Sequence, residues 1–213
     1  MACVTGRSNA TRALLTIVGL SFLLSGGLAA EDWPEFRGKG RQGVWTETGI
    51  VETFPAAGLP VLWRTPVKAG FSGPAVADGR VYLMDFEETQ KPKGTERAIA
   101  LDEKTGQVLW TQSWEVDYRG MSYGYGPRAT PTVDGTRVFF AGADGKLFCL
   151  DAKTGAILWK KDYVADYGAD RSKWAYDWGF SSAPLVDGDR VIALVGGKEN
   201  AKVVAFDKAT GKE

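Results

Sequence analysis

The chain is 213 residues long, 44% hydrophobic and 24% charged, with 26 basic and 26 acidic side chains and no histidine. That composition suits a folded chain with a sizeable core and gives no sign of disorder. Balanced charge supplies no bulk field for nucleic acid or an anionic membrane, and the missing imidazole removes Ser-His-Asp and Cys-His catalysis and every His-ligated metal site from this stretch.

Residues 1–30 come first. Arg7 and Arg12 precede an apolar run from Ala13 to Leu24, and Ser25-Gly26-Gly27-Leu28-Ala29-Ala30 follows, the order of a secretory signal peptide. The run has 12 residues, short of the roughly 20 that span a bilayer. Cleavage after Ala29 or Ala30 is therefore expected to leave residues 31–213 with no integral membrane anchor, exported to the periplasm. The two arginines are not adjacent and no cysteine follows the run to accept a lipid. Cleavage would also leave 24 basic against 26 acidic side chains and Cys149 as the single thiol. An intramolecular disulfide is then impossible, and a lone cysteine in an oxidising compartment is expected to be buried.

From there on the sequence repeats itself. One phrase reads ALDEKTGQVLW from Ala100, CLDAKTGAILW from Cys149 and AFDKATGKE from Ala205, with Asp102, Asp151 and Asp207 spaced 49 and 56 apart. A second phrase precedes each copy: GPAVADGRVYL at Gly73, ATPTVDGTRVFF at Ala129 and SAPLVDGDRVIAL at Ser182, with Pro74, Pro131 and Pro184 spaced 57 and 53 apart. A period of about fifty residues marks a repeat architecture. Within a unit every local signal is β. Asp78-Gly79, Asp134-Gly135 and Asp187-Gly188 read as tight turns joining two strands, and Asp144-Gly145 reads as a further hairpin in the middle unit. Asp151 through Gly155 turns the chain again before Ile157-Leu158-Trp159, because aspartate accepts backbone N–H groups and glycine takes the left-handed conformation. Four short antiparallel strands per unit make a propeller blade, so the fold class expected is an all-β β-propeller of four-stranded antiparallel blades. Trp63, Trp110 and Trp159 stand at equivalent places at the ends of outer strands, and each is expected to pack over a neighbouring blade's turn as a structural residue.

At these residues the chain resembles the PQQ-repeat propeller superfamily, whose docking motif is A-x-D-x-x-T-G-x-x-x-W. Ala100, Asp102, Thr105, Gly106 and Trp110 match it fully. Cys149, Asp151, Thr154, Gly155 and Trp159 match with cysteine in place of the small alanine, and Asp207, Thr210 and Gly211 begin a third copy. The resemblance runs from about Trp33 to Glu213. The opening DWPEFRGKGRQGV and the stretch DYRGMSYGYGPRATPTVDG are similar to exported PQQ-like propellers of planctomycete type, a group labelled as resembling the outer-membrane assembly lipoprotein BamB. The third motif reaches Gly211-Lys212-Glu213 without its tryptophan. The stretch therefore reads as the N-terminal part of an incomplete propeller, about three blades of a seven- or eight-bladed ring in a protein of roughly 400 residues.

Two long insertions separate a docking tryptophan from the next inner strand, one from Trp114 to Arg128 and one from Asp162 to Ser182. Loops so placed are expected at the face where the central channel opens, which makes Tyr123, Tyr125, Arg128, Trp174 and Trp178 the candidate ligand-binding residues, with Arg128 the foremost ligand-facing charge. Asp144 and the pair Asp187 and Asp189 offer too few carboxylates for calcium and read as turn residues. No phosphate loop, paired cysteine motif or basic stripe is present, so the expected partner is a protein or small molecule and not nucleic acid. No catalytic residue and no cofactor is expected in this stretch. The resemblance also admits an alternative, a PQQ-dependent quinoprotein alcohol dehydrogenase holding PQQ and calcium. Those enzymes carry an adjacent cysteine pair that this stretch lacks, which favours a BamB-like binding or scaffolding module.

Overall fold

In the computed structural model, residues 31–171 and 177–213 are described; the expected signal peptide and Trp174 lie outside them. Three antiparallel sheets follow one another along the chain. The first is β1 (Ala75–Ala77), β2 (Arg80–Gln90), β3 (Lys93–Asp102) and β4 (Val108–Asp117), hydrogen-bonded in that order. The second is β5 (Thr132–Asp134), β6 (Arg137–Ala141), β7 (Lys146–Asp151) and β8 (Ile157–Asp162). A five-residue helix α1 (Tyr163–Tyr167) leads to the third sheet, β9 (Leu185–Asp187), β10 (Arg190–Leu194) and β11 (Val203–Asp207). The innermost strand β1 lies beside β5, and β5 beside β9, which sets the sheets side by side as blades of a β-propeller.

Blade 2 shows how the sequence specifies this packing. Successive side chains on a strand point to opposite faces. Val138 and Phe140 of β6, with Phe148 and Leu150 of β7, join Tyr82, Met84, Ala98, Ala100 and Trp110 of blade 1 in one buried cluster. Phe139, Ala141, Leu147 and Cys149 face the other way and join Val191, Ala193, Val204 and Phe206 of blade 3 in another. A blade between two neighbours has no wet face, and both central strands accordingly read as unbroken apolar runs. Cys149 is buried there, and burial pushes its thiol up to about 12.

Three details depart from the sequence reading. The inner turn of blade 1 is Asp78-Gly79, with positive φ at both residues, but in blades 2 and 3 the paired ends are Asp134 with Arg137 and Asp187 with Arg190. The central residues there are Gly135-Thr136 and Gly188-Asp189, one place later than expected, because the positive φ falls on the glycine at the first central position. Trp114 to Asp117, expected in a loop, continues β4, since β2 and β3 run on together for 11 and 10 residues and give β4 a longer partner. The second insertion begins as strand and helix: Asp162 closes β8, and its carboxylate accepts the N–H groups of Val164 and Ala165 at 3.0 Å to cap α1.

The segment before β1 ties the blades together at their inner edges. Trp33 and Val76 exchange backbone hydrogen bonds at 2.8 and 2.9 Å, and the Pro34 carbonyl accepts the Val133 N–H at 2.8 Å. Arg41, paired with Glu35 at 2.9 Å, donates to the Pro184 carbonyl ahead of β9. One short stretch thus contacts all three blades.

Candidate functional site

Strand order fixes which residues can meet. In a four-stranded antiparallel blade, the first and third turns lie at one end, and the middle turn shares the other end with the connection to the next blade. The Asp-x-x-Thr-Gly turns therefore occupy the end opposite the long insertions.

Each Asp-x-x-Thr-Gly turn is built alike. Asp102 Oδ1 accepts the backbone N–H and the hydroxyl of Thr105, each at 2.8 Å, and Asp151 with Thr154 and Asp207 with Thr210 repeat the pattern at 2.8 and 2.7 Å. These bonds, first of all the threonine hydroxyl, hold the three carboxyls below the usual aspartate range. The tryptophan of the preceding unit then covers the turn. Trp63 Nε1 donates to the Glu103 carbonyl at 2.8 Å, Trp110 to Ala152 at 3.1 Å and Trp159 to Lys208 at 3.1 Å, in every case the residue after the turn's aspartate. A Cβ on Gly106, Gly155 or Gly211 would lie 2.5, 2.7 or 2.8 Å from the indole, so the ring rests where any other residue would place a side chain. Tyr82 adds its hydroxyl to the same Ala152 carbonyl at 3.1 Å, and burial pushes that phenol up to about 12.

At the opposite end the insertions fold back onto the middle turns. The Tyr118 N–H reaches the Pro92 carbonyl at 3.0 Å, Tyr163 reaches Gly145 at 2.8 Å and Phe180 reaches Ala143 at 3.0 Å. Here Tyr123, Tyr125, Arg128 and Trp178 come together; Trp174 is outside the described residues. Tyr123 stacks on Trp178 with centroids 4.4 Å apart and tilts against Phe71 at 6.2 Å. Phe71, Tyr123 and Trp178 are each more than half exposed, and they come from three separate segments. The Tyr123 N–H to Asp177 carbonyl bond at 3.1 Å, with the Ser122 hydroxyl on the Asp177 carboxylate, joins the two insertions.

Arg128 supports this patch from beneath. Its guanidinium donates to the Gly124 carbonyl at 2.9 Å and to the carbonyls of Gly126 and Tyr123, and it sits 5.2 Å from the centre of the Phe71 ring. Burial pulls it below the usual guanidinium range. Its charge is thus engaged by its own loop. Tyr125 turns inward against Tyr118 at 5.6 Å and Phe86 at 6.2 Å, under the Lys91 ammonium, and lines a cleft of about 390 Å³ with Met121 and Glu88.

Sequence reading did not single out the buried polar groups beneath this surface. Glu96 is fully buried, and burial, reinforced by the neighbouring Asp144, raises it to about 7. Asp85 is also buried, bound by Arg97 at 2.7 and 2.5 Å and by the Lys68 N–H at 2.7 Å. Phe71 was missed as well, since a lone phenylalanine between short polar residues carries no pattern. Among the described residues no three carboxylate or thiol side chains gather around one point that could hold a metal ion. None of the helices among those residues is long and apolar enough to cross a membrane.

Solved structures similar to the chain include a europium-containing methanol dehydrogenase (22% identity, 69% of this chain and 24% of that one, TM-score 0.49). The quinohemoprotein alcohol dehydrogenase of Comamonas testosteroni matches at 22% identity over 68% of this chain and 20% of its own, with a TM-score of 0.49. BamB of Moraxella catarrhalis matches at 19% identity over 67% of this chain and 50% of its own, with a TM-score of 0.41. The chain thus spans between a fifth and a half of these proteins. No curated protein sequence matches it. The family model described as outer membrane protein assembly factor BamB matches residues 44–117 and 94–213, and with the repeated blades and indole-covered turns this shows that the chain belongs to that PQQ-repeat family.

Proposed function

We propose that this chain is the binding part of an exported, periplasmic propeller that acts as a BamB-like module, holding a protein partner at the end of the blades that carries the insertions. The observation that supports this reading most is the patch of Phe71, Tyr123 and Trp178: three exposed rings from three segments, held by the buried side of Arg128 and by the contacts between Ser122, Tyr123 and Asp177. Rings held in place contribute contact area at low conformational cost, the usual property of residues that dominate an interface. An outer-membrane assembly role follows from the family and belongs to this proposal. Fold alone does not fix it.

The test uses a labelled extended peptide with the alternating apolar and polar residues of a membrane β-strand, titrated into the full chain. Trp178→Ala and Tyr123→Ala are expected to weaken binding about tenfold each, the scale of a contact worth roughly 1–2 kcal/mol. A substitution at the opposite end, Lys153→Ala, is expected to leave binding unchanged. Equal affinity in all variants would contradict the proposal. Reproducible dye reduction with alcohols after addition of PQQ and calcium would replace it with the dehydrogenase reading.

A further inference from the structure

Glu96 lies on β3 with no exposure to solvent, yet its carboxylate is bound from three directions. Oε2 accepts the Trp114 indole N–H from β4 at 2.9 Å. Oε1 accepts the Ala143 backbone N–H from the β6–β7 turn of blade 2 at 2.9 Å and the hydroxyl of Tyr118, the residue that opens the insertion 118–128. One side chain thus joins blade 1, blade 2 and the candidate binding loop. Asp144, next to Ala143, is buried as well; one oxygen meets the Lys146 ammonium, while Oδ1 is buried without a hydrogen-bond partner. A Cβ on Gly142 would stand 2.3 Å from Glu96 Oε2 and 3.2 Å from Asp144 Oδ1. The two oxygens face one small gap that glycine keeps open.

The charged and titratable groups around this gap come from every element packed on it. Lys146 of β7 is the cation in contact. Arg171, after α1, lowers Asp144 and Asp162 at the end of β8 raises it. Arg128 approaches Glu96 from the insertion, and the Tyr118 phenol is pushed far up by burial and by Glu96, so it stays a donor. Lys146 balances one carboxylate. A second one, ionised beside it on the fully buried Glu96, has no ammonium in contact with it among the described residues, and burying an uncompensated charge is costly.

We propose that Glu96 and Asp144 share one proton across Gly142, and that this acid pair is a pH-operated latch fastening the insertion 118–128 to the junction of the first two blades. With the proton on Glu96 Oε2, that hydroxyl donates to Asp144 Oδ1 and supplies the partner this oxygen lacks, while the bonds from Trp114, Tyr118 and Ala143 persist. Loss of the proton leaves two negative oxygens facing each other with no donor between them. Because the folded pKa of Glu96 lies above its unfolded value, the proton's contribution is complete below the ordinary glutamate range and is lost as pH rises through about 7. Use of the latch to regulate binding rests on the proposed function; the latch itself does not.

Hydrogen exchange of amides 118–128 in the full chain, without ligand, from pH 4.5 to 8.5 and corrected for intrinsic chemistry, tests it. Opening that releases one proton is expected to rise up to about tenfold per pH unit between the ordinary glutamate range and the midpoint near 7, and to level off above it. In Asp144→Asn the new amide donates to Glu96, and the extra pH dependence should disappear. Direct titration of the Glu96 carboxyl carbon by NMR in the unsubstituted chain should give a midpoint near neutrality and needs no variant to fold. A midpoint in the ordinary range near 4, or the same pH slope in the parent and Asp144→Asn, would overturn the latch. Neither measurement involves a binding partner, so the latch and the binding proposal fail separately.

Discussion

Gly155 and Gly135 both hold positive φ, 74° and 55°, but for different reasons. At Gly135 a Cβ would meet nothing within 4 Å, so only the turn's handedness asks for glycine; at Gly155 the Trp110 ring also occupies the space. Alanine at either site incurs about 1–2 kcal/mol of left-handed backbone cost. Gly155→Ala must in addition displace the indole, and urea unfolding should show it as the more destabilising of the two. Equal losses would mean that the ring does not rest on the turn. The phrase around Gly155 was legible in the sequence because each part of it is local: an acceptor, a hydroxyl three residues on and a left-handed glycine. Glu96 was not legible. It stands in the polar run Lys93-Gly94-Thr95-Glu96-Arg97, which reads as a solvated face, and its burial depends on Trp114, Tyr118 and Ala143 arriving from elsewhere.

At the scale of elements, the long hairpin of blade 1 is the main departure from the repeat. Its tip carries Pro92 and Gly94, residues that usually punctuate strands, so pattern alone does not extend β2 and β3 through them. Gly94 is required by packing: a Cβ there would stand 2.3 Å from the Phe86 ring and 2.4 Å from the Glu87 carbonyl. Asp85 fastens this hairpin, joining Arg97 across the strand pair and the Lys68 N–H from the preceding segment. Asp85→Ala would strand the partly buried guanidinium and the amide, and a loss of about 3–5 kcal/mol is expected, as when one partner of a buried pair is removed. Thermal unfolding measures it; a loss below about 1 kcal/mol would mean the pair is no more than a surface contact. The insertions were recognised as departures from the period, but their interior was not, since α1 depends on a cap from Asp162 and the rings of Phe71, Tyr123 and Trp178 meet only once three segments are folded.

For the molecule as a whole, the blades cohere because both faces of a blade are apolar and each indole is anchored in the next unit. Blade 2 carries this most plainly, with alternate side chains of β6 and β7 assigned to the cores on either side. The alternation itself could not be read from the runs Val138-Phe139-Phe140-Ala141 and Leu147-Phe148-Cys149-Leu150, where every position is apolar; the repeat period supplied the architecture instead. Coupling between blades should therefore pass through Trp110, whose ring is nine-tenths buried and whose N–H holds the Ala152 carbonyl. Hydrogen exchange of the amides of Asp151 and Gly155 in Trp110→Ala tests this most directly, because those amides close the turn of blade 2 while the substitution lies in blade 1. The account predicts that their protection falls by at least tenfold while the β2–β3 amides of blade 1 keep theirs. Protection lost in blade 1 alone, with the blade 2 turn unchanged, would contradict it.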